Sequence, residues 1–366
     1  MTVISNTTSV SIVSNAGPSW AQSLSLNTWT ALSNTNTFQS QWPANTGFYG
    51  NSSPAAVYTA WNGAAYCSGY GTYGSMIHWG GGHTDYYGNE VYRMDLDTLT
   101  WSRIKDPYAS ATGGTATNGI WPDGTPAAAH TYYYIAGLPT SLVICKRQID
   151  NNPTSAYNIS RFDLPTLTWY NNTNDHSLNA QNDEGICYDS TRDVYWLVAS
   201  VQGLGWSKFT PGSGSAGSWT NYTEPTGAYN QGCGPVYVPS KDCVVGLFES
   251  TSVGLDPASP TTDKVILTST GTRPSMSGGS ARWSSNLGAI VFYPSRSSQI
   301  YLFTPPSGDW RTGTWTWSQR SVTGSTGTHS GTPGTYGKFQ IAEWGSTTVG
   351  ILHADVAGAT RAIKLS

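Results

Sequence analysis

The sequence predicts an all-β fold assembled from repeated small sheets, a β-propeller, and three observations lead to this prediction. Residues 93–101 read RMDLDTLTW and residues 161–169 read RFDLPTLTW, so a strand, a turn and a Trp-ended strand occur twice. Helical periodicity is nearly absent, whereas short apolar runs bounded by turn residues continue along the chain. Of the 366 residues 41 are glycine, 13% are aromatic and only 11% are charged, a balance that favours tight turns and a neutral polar surface.

The repeating unit is a hairpin of two apolar strands, then a third strand, then a segment that carries a tryptophan. Six hairpins recur at intervals of about 40 to 65 residues, as the blades of a propeller would, at residues 64–78, 130–145, 185–198, 235–248, 281–293 and 338–352. Third strands are predicted at residues 90–96, 157–164, 206–209, 264–268, 299–303 and 360–365. The outer segments carry Trp101, Trp169, Trp219, and Trp315 or Trp317, and the fourth and sixth units lack such a tryptophan.

The N-terminal part of the chain can supply the strand that the sixth unit lacks. Residues 24–32 resemble an outer strand with no hairpin before it, and their pairing with residues 360–365 would remove two exposed sheet edges. We therefore predict six four-stranded blades in one domain over residues 17–366. A seventh blade with strands in residues 35–53 and 108–126 is the alternative, and a β-sandwich with a repeated hairpin is a second one.

Charge and cysteine content exclude several classes of protein. The net charge of −3 is scattered, without a block of like charges, and gives no electrostatic footprint for nucleic acid. The five cysteines form no C-x-x-C pair and no metal-ligand spacing, so we predict buried, reduced thiols. We find no signal peptide and no apolar run of about 18 residues that could insert into a membrane. We expect a chain made in the cytoplasm, for which release as part of a virus particle remains open.

One segment combines a glycine run with two spaced aromatic residues. The triple glycine at residues 80–82 follows an apolar strand, and Tyr92 and Trp101 lie on the next two predicted strands. These positions match a kelch repeat; the copy at residues 161–169 matches only in its second half, without paired glycines. The chain from about residue 17 resembles the galactose-oxidase-like kelch propellers of bacteria and their phages. The resemblance implies the propeller fold and no particular activity, since propellers serve many functions.

Polar residues stand just before several of the innermost strands. In a propeller these strand starts converge on one mouth of the central channel, so their side chains could form a ligand funnel or a hydrated rim. The predicted binding residues at this mouth are His130, Glu184, Gln231, Tyr336 and Lys338.

Tryptophans provide a second set of candidates, because an exposed indole can stack on the face of a sugar. Most of the 16 tryptophans are periodic and fit packing between blades. We expect four to lie in loops between strands, where they could form an exposed contact surface: Trp42, Trp121, Trp206 and Trp310.

Signatures of catalysis are weak. A galactose-oxidase copper centre needs two tyrosines and two histidines, whereas only His130, with His329 as a second candidate, lies near the predicted mouth. A glycosidase needs two carboxylates about 5–10 Å apart; the candidate pairs are Glu184 with Glu343 and Asp183 with Glu90. We predict no catalytic residue, no metal and no cofactor.

These observations favour a non-catalytic interaction module that presents loops to protein subunits of a larger assembly or to a glycan. Within this class we favour a structural or receptor-contacting component of a phage particle, such as a tail or decoration protein. Residues 1–16 form an N-terminal arm of alternating apolar and polar residues, which could add as a strand to a neighbouring subunit. The alternative is a carbohydrate-active enzyme, an oxidase or a glycoside hydrolase, with its site at the channel mouth.

Overall fold

A computed structural model of the chain shows a six-bladed β-propeller. It describes residues 16–82, 85–111, 116–145, 147–148, 155–156, 159–172, 185–198, 205–222, 232–262, 264–329, 334–353 and 355–366. The N-terminal arm predicted over residues 1–16 lies outside these ranges except for its last residue. Within them, no helix is long and apolar enough to cross a membrane.

The described elements are almost all strands. Two helices of four residues are α1 (Ser19–Gln22) and α2 (Ala56–Thr59), and short 3-10 helices occur at Gln39–Gln41, Thr46–Phe48 and Pro239–Lys241. The first strands are β1 (Thr28–Ala31), β2 (Ala64–Cys67), β3 (Ser75–His78), β4 (Val91–Asp95), β5 (Thr100–Lys105), β6 (Ile135–Leu138), β7 (Ser141–Ile144), β8 (Arg147–Gln148), β9 (Ser155–Ala156), β10 (Ser160–Asp163), β11 (Thr168–Asn171), β12 (Gly185–Asp189), β13 (Val194–Val198) and β14 (Trp206–Pro211). The others are β15 (Gly217–Tyr222), β16 (Gly232–Val238), β17 (Cys243–Phe248), β18 (Ser252–Leu255), β19 (Lys264–Ile266), β20 (Ser269–Thr270), β21 (Ser280–Ser284), β22 (Ala289–Tyr293), β23 (Ile300–Thr304), β24 (Trp315–Arg320), β25 (Thr323–Gly324), β26 (Phe339–Trp344), β27 (Thr347–Leu352) and β28 (Arg361–Lys364).

Six sheets surround a common centre. Five follow the chain from inside to outside, namely β2-β3-β4-β5, β6-β7-β10-β11, β12-β13-β14-β15, β16-β17-β18-β19 and β21-β22-β23-β24 with β20 at its outer edge. The innermost strands β2, β6, β12, β16, β21 and β26 contact one another in turn, and β26 returns to β2, so the ring is closed. The predicted six blades are confirmed. Neither residues 35–53 nor the described parts of residues 108–126 add a seventh sheet.

The sixth sheet contains strands from distant parts of the chain. Its order is β26-β27-β28-β1-β25, and β1 pairs antiparallel with β28, with Trp29 opposite Ile363. Trp29 is buried and its ring lies 5.7 Å from that of Tyr293 and 6.2 Å from that of Phe339. The N-terminal strand therefore contributes both backbone pairing and an aromatic side chain to the contact between the fifth and sixth blades.

The fourth sheet differs from the predicted order in one strand. Residues 264–268 were expected to form the third strand, but the third strand is β18, and β19 within that range is the outer fourth strand. The reason is local: β17 is followed by a turn of only three residues, and the SVGL run of β18 is short and glycine-containing, which weakens its strand pattern.

Glycines and aromatic residues shape the first blade. Gly80 and Gly81 have φ angles of +143° and +133°, and a Cβ at Gly80 would lie 2.3 Å from Oδ1 of Asn62. Tyr92 and Trp101 are fully buried between blades. These positions therefore require glycine for close approach of the backbone and aromatic residues to fill the wedge between sheets. All five cysteines are buried free thiols, as predicted.

Candidate functional site

The six inner strands surround a channel whose two ends differ, and the end at which these strands begin is closed by aromatic rings. Trp61, Tyr132 and Tyr336 each stand three residues before an inner strand, and each has a left-handed backbone, with φ of 50°, 43° and 43°. This conformation is uncommon for bulky residues. The rings of Tyr132 and Tyr133 lie 5.4 and 5.5 Å from the ring of Tyr336. All three tyrosines are buried, so we call this side the closed end.

Backbone contacts fix the closed end. The backbone N–H of Tyr132 donates to the carbonyl of Trp61 at 2.8 Å. The backbone N–H of Gly63 donates to Oγ1 of Thr131, and a Cβ on this glycine would lie 2.4 and 2.5 Å from the carbonyl oxygens of Tyr336 and Tyr132. Only glycine allows the first, second and sixth blades to meet so closely, since real Cβ atoms do not approach to such distances.

Lys338 lies at the closed end as a buried ammonium group. Its Nζ donates to the backbone carbonyls of Tyr58 at 3.1 Å and Asn62 at 2.8 Å and lies 5.0 Å from the ring centre of Tyr58. Burial, with a smaller contribution from the charge of Arg296, lowers the pKa of Lys338 to about 7. An enclosed space of about 10 Å³ beside it is lined in part by Arg296 and His329, and this is room for about one water molecule.

His130 is also buried at the closed end. Its Nε2 lies 2.7 Å from Oδ2 of Asp85, and its ring packs 5.1 Å from the ring of Trp61 and 6.1 Å from that of Tyr132. Burial raises the pKa of the Asp85 carboxyl. The contacts of His130 therefore connect the first two blades.

The predicted funnel is therefore corrected by the structure. His130, Tyr336 and Lys338 do come together near one mouth, but they are only 4%, 7% and 5% exposed. Glu184 and Gln231 lie outside the described residues. The physical reason is the packing of aromatic rings at the strand starts, where Tyr132 and Tyr133 both contact Tyr336 and all three are buried.

The exposure expected of four tryptophans is also wrong for three of them. Trp206 is the first residue of β14 and is 1% exposed, while Trp121 and Trp310 are buried in loops. Trp121 stacks on Tyr108 with ring centres 5.5 Å apart, and Trp310 fills the space above Gly254. Trp42 is half-buried against the first blade. The indoles in these loops fill gaps between blades because removing so large an apolar ring from water is favourable.

The other end of the channel holds an open cavity of about 300 Å³, which we call the channel cavity. All six inner strands line it, and it reaches the exposed turn residues Ser190 and Pro239. Four aromatic residues from four blades contribute to its wall: Tyr66, Tyr188, Tyr237 and Trp283. A concave cavity with aromatic and aliphatic walls and a few polar groups is typical of small-ligand sites, whose volumes begin at about 300 Å³.

Arg282 is the one cation among the described residues that line the channel cavity. Its Nε donates to Oε1 of Gln340 at 2.9 Å and its Nη1 to the carbonyl of Ala281 at 2.7 Å. Burial lowers the pKa of Arg282 to about 10, so the side chain is charged at neutral pH. The sequence signal for it was a charged residue inside the inner strand β21, flanked by apolar residues, which we did not single out.

Titratable groups of the channel cavity hold their protons at neutral pH. Burial raises the pKa of Tyr188 and of Tyr237 to about 12, and it raises the pKa values of Tyr66 and Cys187 further. Neither a carboxylate nor an imidazole occurs among the described lining residues. The described wall of the cavity therefore offers hydrogen bonds, rings and one positive charge, but no group poised for acid–base exchange near neutral pH.

Two carboxylates considered for glycoside hydrolysis have structural contacts. Oε1 of Glu90 accepts hydrogen bonds from the hydroxyls of Tyr86 and Tyr92 at 2.8 and 2.7 Å in a buried site. Glu343 accepts from the Oγ of Ser284 at 2.6 Å and from two backbone N–H groups of the following turn, which joins the fifth and sixth blades. Asp183 and Glu184 lie outside the described residues. Within the described ranges, no cluster of three potential metal ligands occurs.

Comparison with known proteins adds no argument about what the chain does. No family model matches the chain, and no curated protein matches its sequence. Solved structures similar to it include the protein YjhT (TM-score 0.47, 10% identity, 83% of this chain and 93% of that chain), and the Malassezia sympodialis allergen Mala s 1 (0.45, 9%, 79% and 89%). A chain of the nidogen/laminin complex also matches (0.41, 11%, 70% and 84%). Likenesses of this size carry no argument about function.

Proposed function

We propose that this propeller is a non-catalytic, glycan-contacting interaction module whose ligand site is the channel cavity. The observation that carries the proposal is the composition of the cavity wall: aromatic side chains from four blades surround a space of about 300 Å³ that also contains Arg282 and Gln340. Aromatic rings pack against the apolar faces of sugar rings, while a guanidinium group can donate hydrogen bonds to the oxygens of the sugar. The volume suits a single sugar unit at the end of a glycan.

The titration behaviour of the cavity supports binding without turnover. Glycoside hydrolysis needs one carboxyl group that holds a proton and one that is ionised, at a fixed separation. The described lining residues include no carboxyl group, and the phenols of Tyr188 and Tyr237 have pKa values of about 12. A carbohydrate-active enzyme is the second candidate, and product formation in the experiment below would favour it.

We further propose that the module is a component of a phage particle, in contact with its other subunits through the outer parts of the blades. The low charge of the chain, in which only 11% of the residues are charged, supports this, because such a protein can pack against other subunits with little desolvation of ions. The blades are proposed to be of the kelch type. Support comes from Gly80 and Gly81 with positive φ and from the burial of Tyr92 and Trp101.

A glycan array tests the ligand class. Wild-type protein should bind a subset of immobilised saccharides, and Trp283→Ala should weaken that binding by about tenfold, because a ring against the sugar is lost. Trp219→Ala is the matched control, since Trp219 lies on the outermost strand β15, away from the channel. Absence of any bound saccharide for wild type would exclude the proposed function. Release of a new sugar product during incubation would replace it with the enzymatic alternative.

A further inference from the structure

We infer that the channel cavity selects an acidic sugar and that Arg282, held by Gln340, is the subsite for its carboxylate. This inference rests on the proposed glycan function and adds the chemical class of the ligand. The feature behind it is a guanidinium group in a small aromatic cavity, oriented by a hydrogen-bonded amide and without a carboxylate ion-pair partner among the described residues.

The first step concerns the hydrogen bonds of Arg282. A guanidinium group has five N–H donors. One is used by Oε1 of Gln340 at 2.9 Å, one by the carbonyl of Ala281 at 2.7 Å, and one by the carbonyl of Gly337 at a long 3.4 Å. Two further N–H groups, one on each terminal nitrogen, have no assigned acceptor in the described part of the chain. Two parallel N–H groups are the arrangement that a carboxylate accepts with both of its oxygens.

The second step concerns the rigidity of the group. Nε2 of Gln340 donates to the carbonyls of Ala64 at 2.7 Å and Gly337 at 2.6 Å, which directs its Oε1 toward Arg282. A Cβ on Gly337 would lie 2.8 Å from Nη2 of Arg282, so this glycine leaves the space that the guanidinium occupies. The arginine is therefore positioned before a ligand arrives, which lowers the entropic cost of binding.

The third step concerns charge. Several other arginines of the described chain form ion pairs with aspartates, for example Arg192 with Asp242 at 2.6 Å and Arg103 with Asp106 at 2.7 Å. Arg282 shares its surroundings instead with the thiols of Cys187 and Cys233, and burial lowers its pKa to about 10. Such a shift means that the positive charge is poorly compensated, so a bound anion would be stabilised more strongly than at the surface.

The fourth step limits the anion to a single negative charge. The cavity offers one cation among its described lining residues, and a phosphate dianion would remain half neutralised beside it. A carboxylate matches the charge and the planar geometry of one guanidinium. The remaining wall, with Tyr188 and Trp283, is suited to the ring of the sugar that carries the carboxylate.

The experiment pairs acidic saccharides with their carboxyl-reduced partners. An array carrying uronic and nonulosonic acids, each beside the same sugar with its carboxyl group reduced to an alcohol, is probed with wild type, Arg282→Gln and Arg282→Lys. We expect acidic members to bind wild type at least about tenfold more tightly than their reduced partners, as a charge-assisted pair of hydrogen bonds would require. Arg282→Gln should abolish this difference, and Arg282→Lys, which keeps the charge but not the paired donors, should retain part of it.

The outcomes separate the two proposals. Equal binding of acidic and reduced partners by wild type would overturn the acidic-sugar inference and leave the glycan function standing. Failure of wild type to bind any member would overturn the function itself. Undiminished preference for the acid in Arg282→Gln would also overturn the inference. The comparison between paired ligands uses wild-type protein only, so it decides the preference for an acidic sugar even if a variant at the half-buried Arg282 does not fold, and Arg282→Lys then tests the assignment of the subsite.

Discussion

Lys338 gives a pH dependence of stability whose sign and size follow from its burial. The ammonium group is enclosed at the closed end, with two backbone carbonyls and the ring of Tyr58 as its contacts. Its pKa is lowered from 10.5 to about 7, so between these values the unfolded chain binds a proton at this site that the folded protein does not. The folded state is therefore favoured as the pH rises through this window and disfavoured as it falls.

The magnitude follows from the two pKa values. Each pH unit in the window contributes about 1.4 kcal/mol per proton, so Lys338 should add about 2.5 kcal/mol to the free energy of unfolding between about pH 7.5 and 9.5. Burial raises the pKa values of four cysteine thiols, Cys67, Cys187, Cys233 and Cys243, and the loss of their protons in the unfolded chain at high pH acts in the opposite direction. The effect of Lys338 must therefore be measured as a difference between variants.

Urea unfolding of wild type and Lys338→Met across this range isolates the difference. The substitution removes the hydrogen bonds to the carbonyls of Tyr58 and Asn62, which shifts stability at every pH, but it also removes the titration. The difference between the free energies of unfolding of the two proteins should change by about 2.5 kcal/mol from about pH 7.5 to 9.5, in favour of wild type at the higher pH. Lys105→Met on the outer strand β5 is the control and should run parallel to wild type. Parallel curves for wild type and Lys338→Met would refute the reasoning.

Two further predictions concern the closed end and its neighbourhood. Gly63→Ala should lower the free energy of unfolding by about 3 kcal/mol, because its Cβ would overlap two carbonyl oxygens. Gly308→Ala is the control, since a Cβ there has nothing within 4 Å, and it should change the free energy of unfolding by less than about 0.5 kcal/mol. Equal effects of the two substitutions in urea unfolding would count against the close contact at Gly63. His353 is buried beside Trp101, and burial, then the charge of Lys338, lowers its pKa to about 3. The free energy of unfolding should therefore decrease as the pH falls below about 6.5. His353→Phe removes this titration, so from neutral pH to pH 4 the variant should gain about 3 kcal/mol of stability relative to wild type. Acid unfolding followed by circular dichroism measures this change.

The architecture could be predicted from sequence because its determinants are local. The two RxDLxTLTW-like copies correspond to the β4-β5 and β10-β11 pairs, and the apolar runs of each hairpin correspond to the first two strands of a blade. Period-2 patterns and turn residues act within a few positions, so they are readable in one chain. The error in the fourth sheet arose where β18 is short and contains a glycine, which is where local signals are weakest.

The site could be predicted less well because it depends on contacts between blades. Trp61, Tyr132 and Tyr336 are far apart in the sequence, and each looks like an ordinary residue of a connecting loop. What they share is a left-handed backbone three positions before an inner strand. Such conformations are set by the packing of neighbouring blades and carry no strong sequence signal in residues other than glycine. Of the polar residues chosen before the strands, His130, Tyr336 and Lys338 lie at the closed end and are buried, so their expected exposure was wrong.

A channel closed at one end has a consequence for how the module would recognise a ligand. Because aromatic rings pack at the strand starts, a ligand would enter the channel cavity of the described structure from the opposite end, past the turn residues Ser190 and Pro239, and would reach Arg282 there. A ligand that enters in this way presents its end first, so recognition would concern the terminal sugar of a chain and its charge, while the rest of the glycan would extend over the short turns. Rigid blades can hold such a site without rearrangement, since the inner strands are fixed on both sides by their neighbours. Selectivity would then come from one oriented guanidinium group in a small aromatic space, and not from mobile loops.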